Sequence, residues 1–214
     1  MKTRGTVSNL FLVALCITGW VALIGQFYLI LENRVASIPE TIVRFFGFFT
    51  ILSNILVTVA ATVLLLEKPA GWLRFFSKAS TLAAIGVYIF VVGLVYNTVL
   101  RFQWKFEGLG ALINELLHAV MPVAYIVYWI FFAHKKTLPA KTIGYWLIFP
   151  ALYLVFVLLR GPVAHFYPYP FMNVDKFGYA QVALNSLGVL LAFIGASVVF
   201  IWGGNKLSKK GIAL

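Results

Sequence analysis

Long uninterrupted apolar runs dominate this sequence and restrict the folds that it can adopt. Six such runs occur, at about 8–31, 43–66, 79–101, 109–133, 142–160 and 178–202. Each run is long enough to cross a hydrocarbon core of roughly 30 Å as a helix that rises about 1.5 Å per residue. None shows the alternation of apolar and polar residues that a transmembrane β-strand requires. The sequence therefore predicts an all-α fold, a six-helix transmembrane bundle.

The composition indicates the same class of protein. Of the 214 residues, 62% are hydrophobic and 11% are charged, whereas soluble domains carry about 25% charged residues. The connections between the runs are short, so we expect residues 1–214 to form a single integral membrane domain. The first run is too long for the core of a signal peptide and lacks a convincing cleavage site, so we expect a retained helix. In a bacterium, this would place the protein in the cytoplasmic (inner) membrane.

The formal net charge of +11 follows from basic residues at the ends of the apolar runs. Most of them fall on the side that carries both termini and the connections at 67–78 and 134–141. The positive-inside rule then predicts that both termini are cytoplasmic. Attraction to anionic lipid is favoured over nucleic-acid binding, so we expect a membrane lipid as partner and no nucleic acid. The sequence does not indicate an oligomeric state.

Polar side chains within the runs concentrate in the halves that face the outer side. Thr50 lies roughly 10 Å and His118 roughly 13 Å below the outer ends of their helices, so they share one level. The same halves contain Gln26, Tyr96, Asn97, Asn114, Glu115, Tyr153 and Asn185. Polar residues in a span often mark function, although Asn, Gln, Ser and Thr also join helices by hydrogen bonds. Their shared depth favours one polar pocket that opens toward the outer leaflet.

The stretch INELLHAVMP places Asn114, Glu115 and His118 on one helix face, because they are spaced three and four residues apart. Pro122 lacks the N–H that would bond the His118 carbonyl, so we expect a bend there and a free carbonyl. An ionised Glu115 needs a partner, for which His118 and Arg44 are the candidates. Pairing with His118 would fix the tautomer of the ring. A purely structural pair is the alternative.

A metal site is the other possibility that the Glu-x-x-His spacing raises, since the same spacing occurs in di-iron bundles. Such sites need a second Glu-x-x-His and further carboxylates. Only six acidic residues occur in the whole chain, and Glu115 alone lies deep in a run. We therefore expect no metal and no cofactor.

The second apolar run contains Thr50, Ser53 and Asn54 on one helix face. A threonine in a membrane helix usually bonds the carbonyl four residues back, here that of Phe46. Its hydroxyl becomes a nucleophile only beside a base, and His118 is the base at the same depth. Asn54, Asn97 and Asn185 are candidates for oxyanion donors. The loop 161–177, rich in aromatic residues and proline, is a candidate lid.

Five segments in this order suggest a family: FFTILSN (48–54), ELLHAVMP (115–122), WLIFPALYLVFVLLRG (146–161), YPYPF (167–171) and ALN (183–185). Together they resemble the androgen-induced-gene family of multi-pass membrane proteins, in particular its bacterial six-helix branch. Animal members of that family are threonine hydrolases that cleave fatty acid esters of hydroxy fatty acids within the membrane. The family's threonine and histidine correspond to Thr50 and His118.

The resemblance implies an intramembrane hydrolase of lipid esters, with Thr50 as nucleophile and His118 as base. Glu115 or Asn114 would then orient His118. The pocket or lid would include Arg44, Gln26, Tyr96, Tyr153, Tyr169 and Phe171. The alternative is a carrier or receptor without enzymatic activity that holds a lipid or a small polar ligand in the same pocket.

Overall fold

A computed structural model describes residues 5–66 and 69–209, and all regular secondary structure within them is helical. Two short 3₁₀ turns lie at Gly71–Ser77 and Pro170–Met172. The main helices are α1 (Thr6–Glu32), α2 (Ile38–Phe46), α3 (Phe49–Leu65), α4 (Ala79–Leu100), α5 (Gly108–Phe131), α6 (Thr142–Ala164) and α7 (Val174–Lys209).

The prediction of an all-α protein is confirmed for the described residues. Helices α1, α4, α5, α6 and α7 are each long and apolar enough to cross a membrane, and the bent pair of α2 and α3 is a sixth candidate if the two helices form one span. These lengths and compositions indicate a multi-pass membrane protein. The cytoplasmic placement of both termini stays a prediction, and residues 1–4 and 210–214 lie outside the described residues.

The second apolar run differs from the single helix predicted at 43–66. It folds as α2 and α3, which meet at an angle of 70°. The backbone of Phe48 is extended, with φ −86° and ψ 124°, so the helix ends at Phe46 and begins again at Phe49. The carbonyl of Gly47, left without a helical partner, accepts a hydrogen bond of 2.9 Å from the Tyr153 hydroxyl. This contact from α6 stabilises a break that places Thr50 in the first turn of a new helix.

Helix α5 corresponds to the predicted run at 109–133 and contains one wide turn. Residues Leu116–Val120 form a π-helical turn directly before Pro122, the residue whose missing N–H interrupts the hydrogen-bond ladder. The predicted free carbonyl of His118 instead accepts a hydrogen bond of 3.1 Å from the Asn97 side chain on α4. The proline therefore creates an acceptor that joins two helices.

Helix α4 lies at the centre of the bundle. In its most apolar stretch of 18 residues, 67% of the residues are buried, a larger share than in any other single helix long enough to span. It packs against α3, α5 and α7. Helix α6 packs mainly along α7. Trp146 near the start of α6 makes two hydrogen bonds to the first half of α4. Its carbonyl accepts from the Tyr88 hydroxyl at 2.7 Å, and its indole N–H donates to Ser80 at 3.2 Å. Farther along the two helices, the space between them is a cavity.

The ends of the last two helices depart from the predicted runs at 142–160 and 178–202. Helix α6 continues to Ala164 and ends where His165 adopts a left-handed conformation, with φ 46°. Helix α7 begins at Val174 and is kinked at Gly178, whose φ of 73° is accessible to glycine. The connection at 165–173 is therefore short and folds back over the ends of α3 and α6.

Candidate functional site

A cavity of about 560 Å³ lies between α3, α4, α6 and α7 beneath the connection 165–173. Its walls are almost entirely aliphatic and aromatic, and its volume is in the range of small-molecule sites. The side chains that bring hydroxyl groups to these walls are those of Thr50, Tyr96, Tyr153, Tyr169, Tyr179 and Ser186. The aromatic ring of Phe171, a predicted pocket or lid residue, also lines it.

Thr50 lies in the first turn of α3, where backbone N–H groups have no helical partner. Its N–H donates to the Tyr169 hydroxyl at 3.0 Å, and its own hydroxyl is 3.1 Å from the same oxygen. The predicted alternative, a bond to the Phe46 carbonyl, does not form because the helix breaks before Phe49. Thr50 is 6% exposed, and its two polar groups converge on one point of the cavity wall.

Tyr169 comes from the connection 165–173 and occupies that point. Its ring stacks on Phe171, with centroids 5.5 Å apart, and meets Phe48 edge-on. Burial raises the pKa of the Tyr169 hydroxyl, so it is a neutral hydrogen-bonding group at neutral pH. The sequence identified Tyr169 only as a pocket or lid candidate. Its two flanking prolines indicate a restrained loop but not which helix the ring contacts.

His118 lies in the π turn of α5, and its ring orientation is fixed from two sides. Its Nδ1 is 2.9 Å from the Asn114 carbonyl, and a carbonyl can only accept, so the hydrogen is assigned to Nδ1. In the neutral imidazole, Nε2 then carries no hydrogen and can accept a proton. The His118 ring also stacks on Tyr96, with centroids 4.0 Å apart, and the Asn114 side chain donates to the Tyr96 hydroxyl.

Glu115 pairs with neither of its two predicted partners. Its carboxylate forms an ion pair with Arg101 from the end of α4, with Nη2 to Oε1 at 2.7 Å. The Arg101 Nε donates to the Asn97 Oδ1 at 3.0 Å, and the Asn97 amide donates to the His118 carbonyl. Glu115 therefore reaches the His118 backbone through Arg101 and Asn97, and the ring itself is oriented by Asn114. Sequence reasoning missed Arg101, although a cation at the end of an apolar run was the available signal.

The helices that carry Thr50 and His118 are joined, but among the described residues the two side chains are not hydrogen-bonded to each other. The amide of Asn54 joins their helices, since it donates to the Thr50 carbonyl at 2.9 Å and to the Leu117 carbonyl at 3.2 Å. Thr50 lines the cavity directly. His118 stands behind the cavity wall, in contact with Tyr96, which lines it.

The three predicted oxyanion donors have their amide groups engaged with backbone carbonyls. Asn54 bonds the two carbonyls described above, and Asn97 bonds those of Gly93 and His118. Asn185 on α7 donates to the Phe171 carbonyl at 2.8 Å and thereby holds the connection 165–173 in place. The hydrogen-bond donor that lies beside the Thr50 hydroxyl at the cavity wall is the backbone N–H of Thr50, and not one of these three amides.

Of the three remaining predicted pocket residues, Tyr153 lines the cavity, whereas Arg44 and Gln26 are not among its lining residues. Tyr153 lines the cavity and bonds the Gly47 carbonyl. Arg44 forms an ion pair with Glu40 at 2.8 Å and lies over the Phe166 ring. Gln26 on α1 is partly buried and has no side-chain hydrogen bond within the part of the chain that the structure describes.

In residues 5–66 and 69–209, no three His, Cys, Asp or Glu side chains are grouped so that they could hold a metal ion. Comparisons of the chain with models of protein families, with curated proteins and with solved structures found no match. The chemistry of the site must therefore be argued from its own geometry.

Proposed function

We propose that the protein is an intramembrane hydrolase of lipid esters, with Thr50 as nucleophile and His118 as base. The observation that carries this proposal is the position of Thr50 in the wall of an apolar cavity. Its N–H and its hydroxyl lie 3.0 and 3.1 Å from one oxygen atom, that of Tyr169. An ester carbonyl at this position would place its carbon beside the hydroxyl and its oxygen beside the N–H.

The cavity suits an ester with a long hydrocarbon chain. Burying apolar surface contributes roughly 25 cal/mol per Å², and the walls offer few polar atoms to any other kind of ligand. Several wall residues on α7 are also exposed on the outer surface of the bundle, among them Tyr179, Leu187 and Leu190. A lipid could therefore reach the cavity sideways, without first leaving the membrane.

In the proposed reaction, the Thr50 oxygen attacks the ester carbonyl carbon while His118 Nε2 takes the hydroxyl proton. The carbonyl oxygen becomes an oxyanion, which the Thr50 N–H at the start of α3 stabilises. His118 then gives the proton to the departing alkoxide, which leaves as an alcohol. Nε2 then takes a proton from water, whose oxygen attacks the acyl carbon, and returns this proton to the Thr50 oxygen as the bond from Thr50 to the acyl group breaks and the acid leaves.

This reaction requires two local changes. Tyr169 must give up its bonds to Thr50 so that the ester carbonyl can take its place. Nε2 must then reach the Thr50 hydroxyl, directly or through one water molecule. Catalytic hydrogen bonds are often longer or absent in a free enzyme and form in the substrate complex. The resemblance to the androgen-induced-gene family supports the same pair of residues, and fatty acid esters of hydroxy fatty acids are the substrates it suggests.

A second function, a lipid carrier or receptor without enzymatic activity, is favoured by one observation. The Thr50 hydroxyl is bonded to Tyr169 and not to His118, so these two residues of the described part of the chain are not assembled as nucleophile and base. A protein of this kind would hold an intact ester in the cavity and would release it unchanged.

Turnover of lipid esters by the purified protein separates the two functions. We expect detergent-solubilised wild type to hydrolyse at least one member of a panel of lipid esters, and Thr50→Ala and His118→Ala to reduce the rate by at least about a thousandfold. Thr50→Ser should retain part of the activity because it keeps a hydroxyl group.

Ser53→Ala is the matched control, since Ser53 is a buried hydroxyl one turn along the same helix that has no hydrogen-bond partner in the structure. It should leave turnover within about twofold of wild type. Wild-type rates in both the Thr50→Ala and the His118→Ala proteins would contradict the proposal. Stoichiometric recovery of intact ester from the wild type would support the carrier.

A further inference from the structure

Two arginines share one carboxylate beside the break between α2 and α3. Glu40 on α2 accepts from Arg44 Nε at 2.8 Å and from Arg160 Nη2 on α6 at 2.6 and 2.7 Å. Neither arginine forms an ion pair with another carboxylate among the described residues. This group, which we call the arginine cluster, therefore carries one positive charge in excess.

The excess charge is partly removed from water. The side chains of Arg44 and Arg160 are 21% and 18% exposed, and that of Glu40 is 31% exposed. A charge that is partly buried in a membrane protein is costly unless an opposite charge compensates it. The other ion pair between spans, Arg101 with Glu115, is balanced one to one. The imbalance is therefore a property of this cluster and not a general feature of ion pairs in the bundle.

Unused hydrogen-bond donors remain on both guanidinium groups. Arg44 bonds Glu40 through Nε only, and Arg160 bonds it through Nη2 only. Both nitrogens at the tip of Arg44, and the Nε and Nη1 of Arg160, have no acceptor within the described residues. Arginine presents its donors in a planar arrangement that matches carboxylate and phosphate oxygens.

The arginine cluster and the cavity share the same helix face and the same loop. Arg160 lies seven residues after Tyr153 on α6, so the two side chains are on one face, separated by roughly 10 Å along the helix. Arg44 lies over the Phe166 ring at 4.5 Å. That ring meets Phe48 edge-on, and Phe48 in turn contacts Tyr169. A molecule with its hydrocarbon chain in the cavity would have to extend roughly 10 Å along this face of α6 to place an anionic group at the cluster.

We propose that Arg44 and Arg160 bind the oxyanion, a carboxylate or a phosphate, of an amphiphile whose hydrocarbon chain occupies the cavity. The anion site itself does not depend on the proposed function. Only the identification of this amphiphile with the ester substrate rests on the proposed function. In that case, the substrate is an ester that also carries an anionic group, with several methylene groups between the two. The Glu40 carboxylate then holds both guanidinium groups in position for the anion.

Binding of matched charged and uncharged ligands tests the proposal. The protein is the Thr50→Ala variant in uncharged detergent at pH 8, so that turnover does not enter, and the ligands are oleate and methyl oleate in calorimetric titrations. We expect oleate to bind at least about tenfold more tightly, because only its carboxylate accepts charge-assisted hydrogen bonds from the two arginines. Adding Arg44→Gln or Arg160→Gln should reduce this ratio to about twofold or less.

Arg44→Gln leaves the ion pair of Arg160 with Glu40, which joins α6 to α2, in place. Arg160→Gln removes that pair and leaves Glu40 with Arg44 on α2, so the ratio in Arg44→Gln decides the outcome if the Arg160→Gln protein is unstable. Glu40→Gln provides a variant with the opposite expectation. It removes the negative charge that competes with the ligand, while the amide oxygen still accepts from the arginines, so the preference for oleate should increase. Arg34→Gln is the control for net charge, because Arg34 is exposed and bonds only the Leu31 carbonyl. It should leave the ratio unchanged.

Two further ligands identify the source of the oxyanion. Tighter binding of oleoyl lysophosphatidate than of oleate would assign the cluster to a lipid phosphate, and the reverse would assign it to a carboxylate.

Inorganic phosphate that displaces oleate at equal concentration would overturn the role of the hydrocarbon chain. Equal affinities for oleate and methyl oleate, or a ratio that survives both arginine substitutions, would overturn the anion site. Neither result depends on whether Thr50 is a nucleophile, which the turnover of the Thr50→Ala protein tests separately.

Discussion

At the residue scale, the chemistry of the site depends on a side chain far away in the sequence. Thr50 and Tyr169 are 119 positions apart, yet the phenol oxygen receives both the N–H and the hydroxyl of Thr50. The sequence predicted that Thr50 and His118 share one depth and that Thr50 and Asn54 share one helix face. It could not predict the Tyr169 bond, because depth in a span does not specify where a loop residue folds back.

Loss of the Tyr169 hydroxyl should destabilise the free protein. In Tyr169→Phe, the Thr50 N–H loses its acceptor in a buried position, which costs about 1–3 kcal/mol. We expect a lower temperature of thermal unfolding in detergent. Tyr179→Phe is the control, since Tyr179 is 64% exposed, and it should change the stability by less than about 0.5 kcal/mol. Equal unfolding temperatures for wild type and Tyr169→Phe would show that the Thr50 N–H finds another acceptor.

Lys135 should make stability depend on pH at the opposite end of the bundle. It follows the end of α5, is 8% exposed, donates to the Ala133 carbonyl at 2.9 Å and lies near the Trp129 ring. Burial lowers the pKa of Lys135 to about 8 from an ordinary value of 10.5. Between these values, the folded protein has released a proton that the unfolded chain still holds, so stability rises with pH.

Lys135→Met should remove this dependence. We expect the variant to unfold at a higher temperature than wild type at pH 7, where the buried amine is charged. The difference between the two proteins should shrink as the pH rises from 8 toward 10, because the wild-type amine becomes neutral. Thermal unfolding of both proteins across this range measures it. A difference that stays constant from pH 7 to pH 10 would contradict the lowered pKa.

At the scale of the helices, two irregularities position the site. The break at Gly47 and Phe48 turns Thr50 into a residue of a first helical turn, and the π turn before Pro122 presents the His118 carbonyl to Asn97. The sequence predicted the second irregularity in part, since proline removes a specific N–H. It did not predict the first, because Gly47 stands in a continuous apolar run and the break is stabilised by Tyr153 from another helix.

Substitution of Gly93 should disturb the contact between α4 and α5. A Cβ at Gly93 would lie 3.0 Å from Pro122 Cβ and 3.5 Å from the His118 carbonyl, so Gly93→Ala should push the two helices apart. We expect the bond from Asn97 to the His118 carbonyl to weaken, with a loss of about 1–3 kcal/mol of stability and a lower rate of ester turnover.

Gly195→Ala is the matched control, because a Cβ at Gly195 meets no atom within 4 Å. It should be neutral or slightly stabilising, since alanine favours a helix by about 1 kcal/mol over glycine. Equal stabilities for Gly93→Ala and Gly195→Ala would show that α4 and α5 are not as close at Pro122 as the structure places them.

At the scale of the whole molecule, the apolar segments that form the helices were predictable from the sequence, whereas the cavity was not. Apolar length reports whether a segment can span a membrane, and six runs became five spans and one bent pair. The cavity arises because α6 packs mainly along α7 and leaves space beside α4. Such a separation depends on side chains from four elements, so it cannot be predicted from the spacing of residues within one helix.

Closing the side of this cavity should select against long chains. Ala183 on α7 is exposed and also lines the cavity, so an indole ring in Ala183→Trp would fill part of the space that an acyl chain occupies. We expect the kcat/KM for an ester with a 16-carbon chain to fall by at least about tenfold, because losing burial of about two methylene groups already costs that much. The kcat/KM for a four-carbon ester, which needs only the space beside Thr50, should change by about twofold or less.

Leu184→Trp is the matched control, because it places the same ring on the next residue, which is 61% exposed and outside the cavity wall. It should leave both values unchanged. Equal losses for the long and the short ester in Ala183→Trp would indicate a general disturbance of α7 and would contradict the assignment of this cavity to the chain.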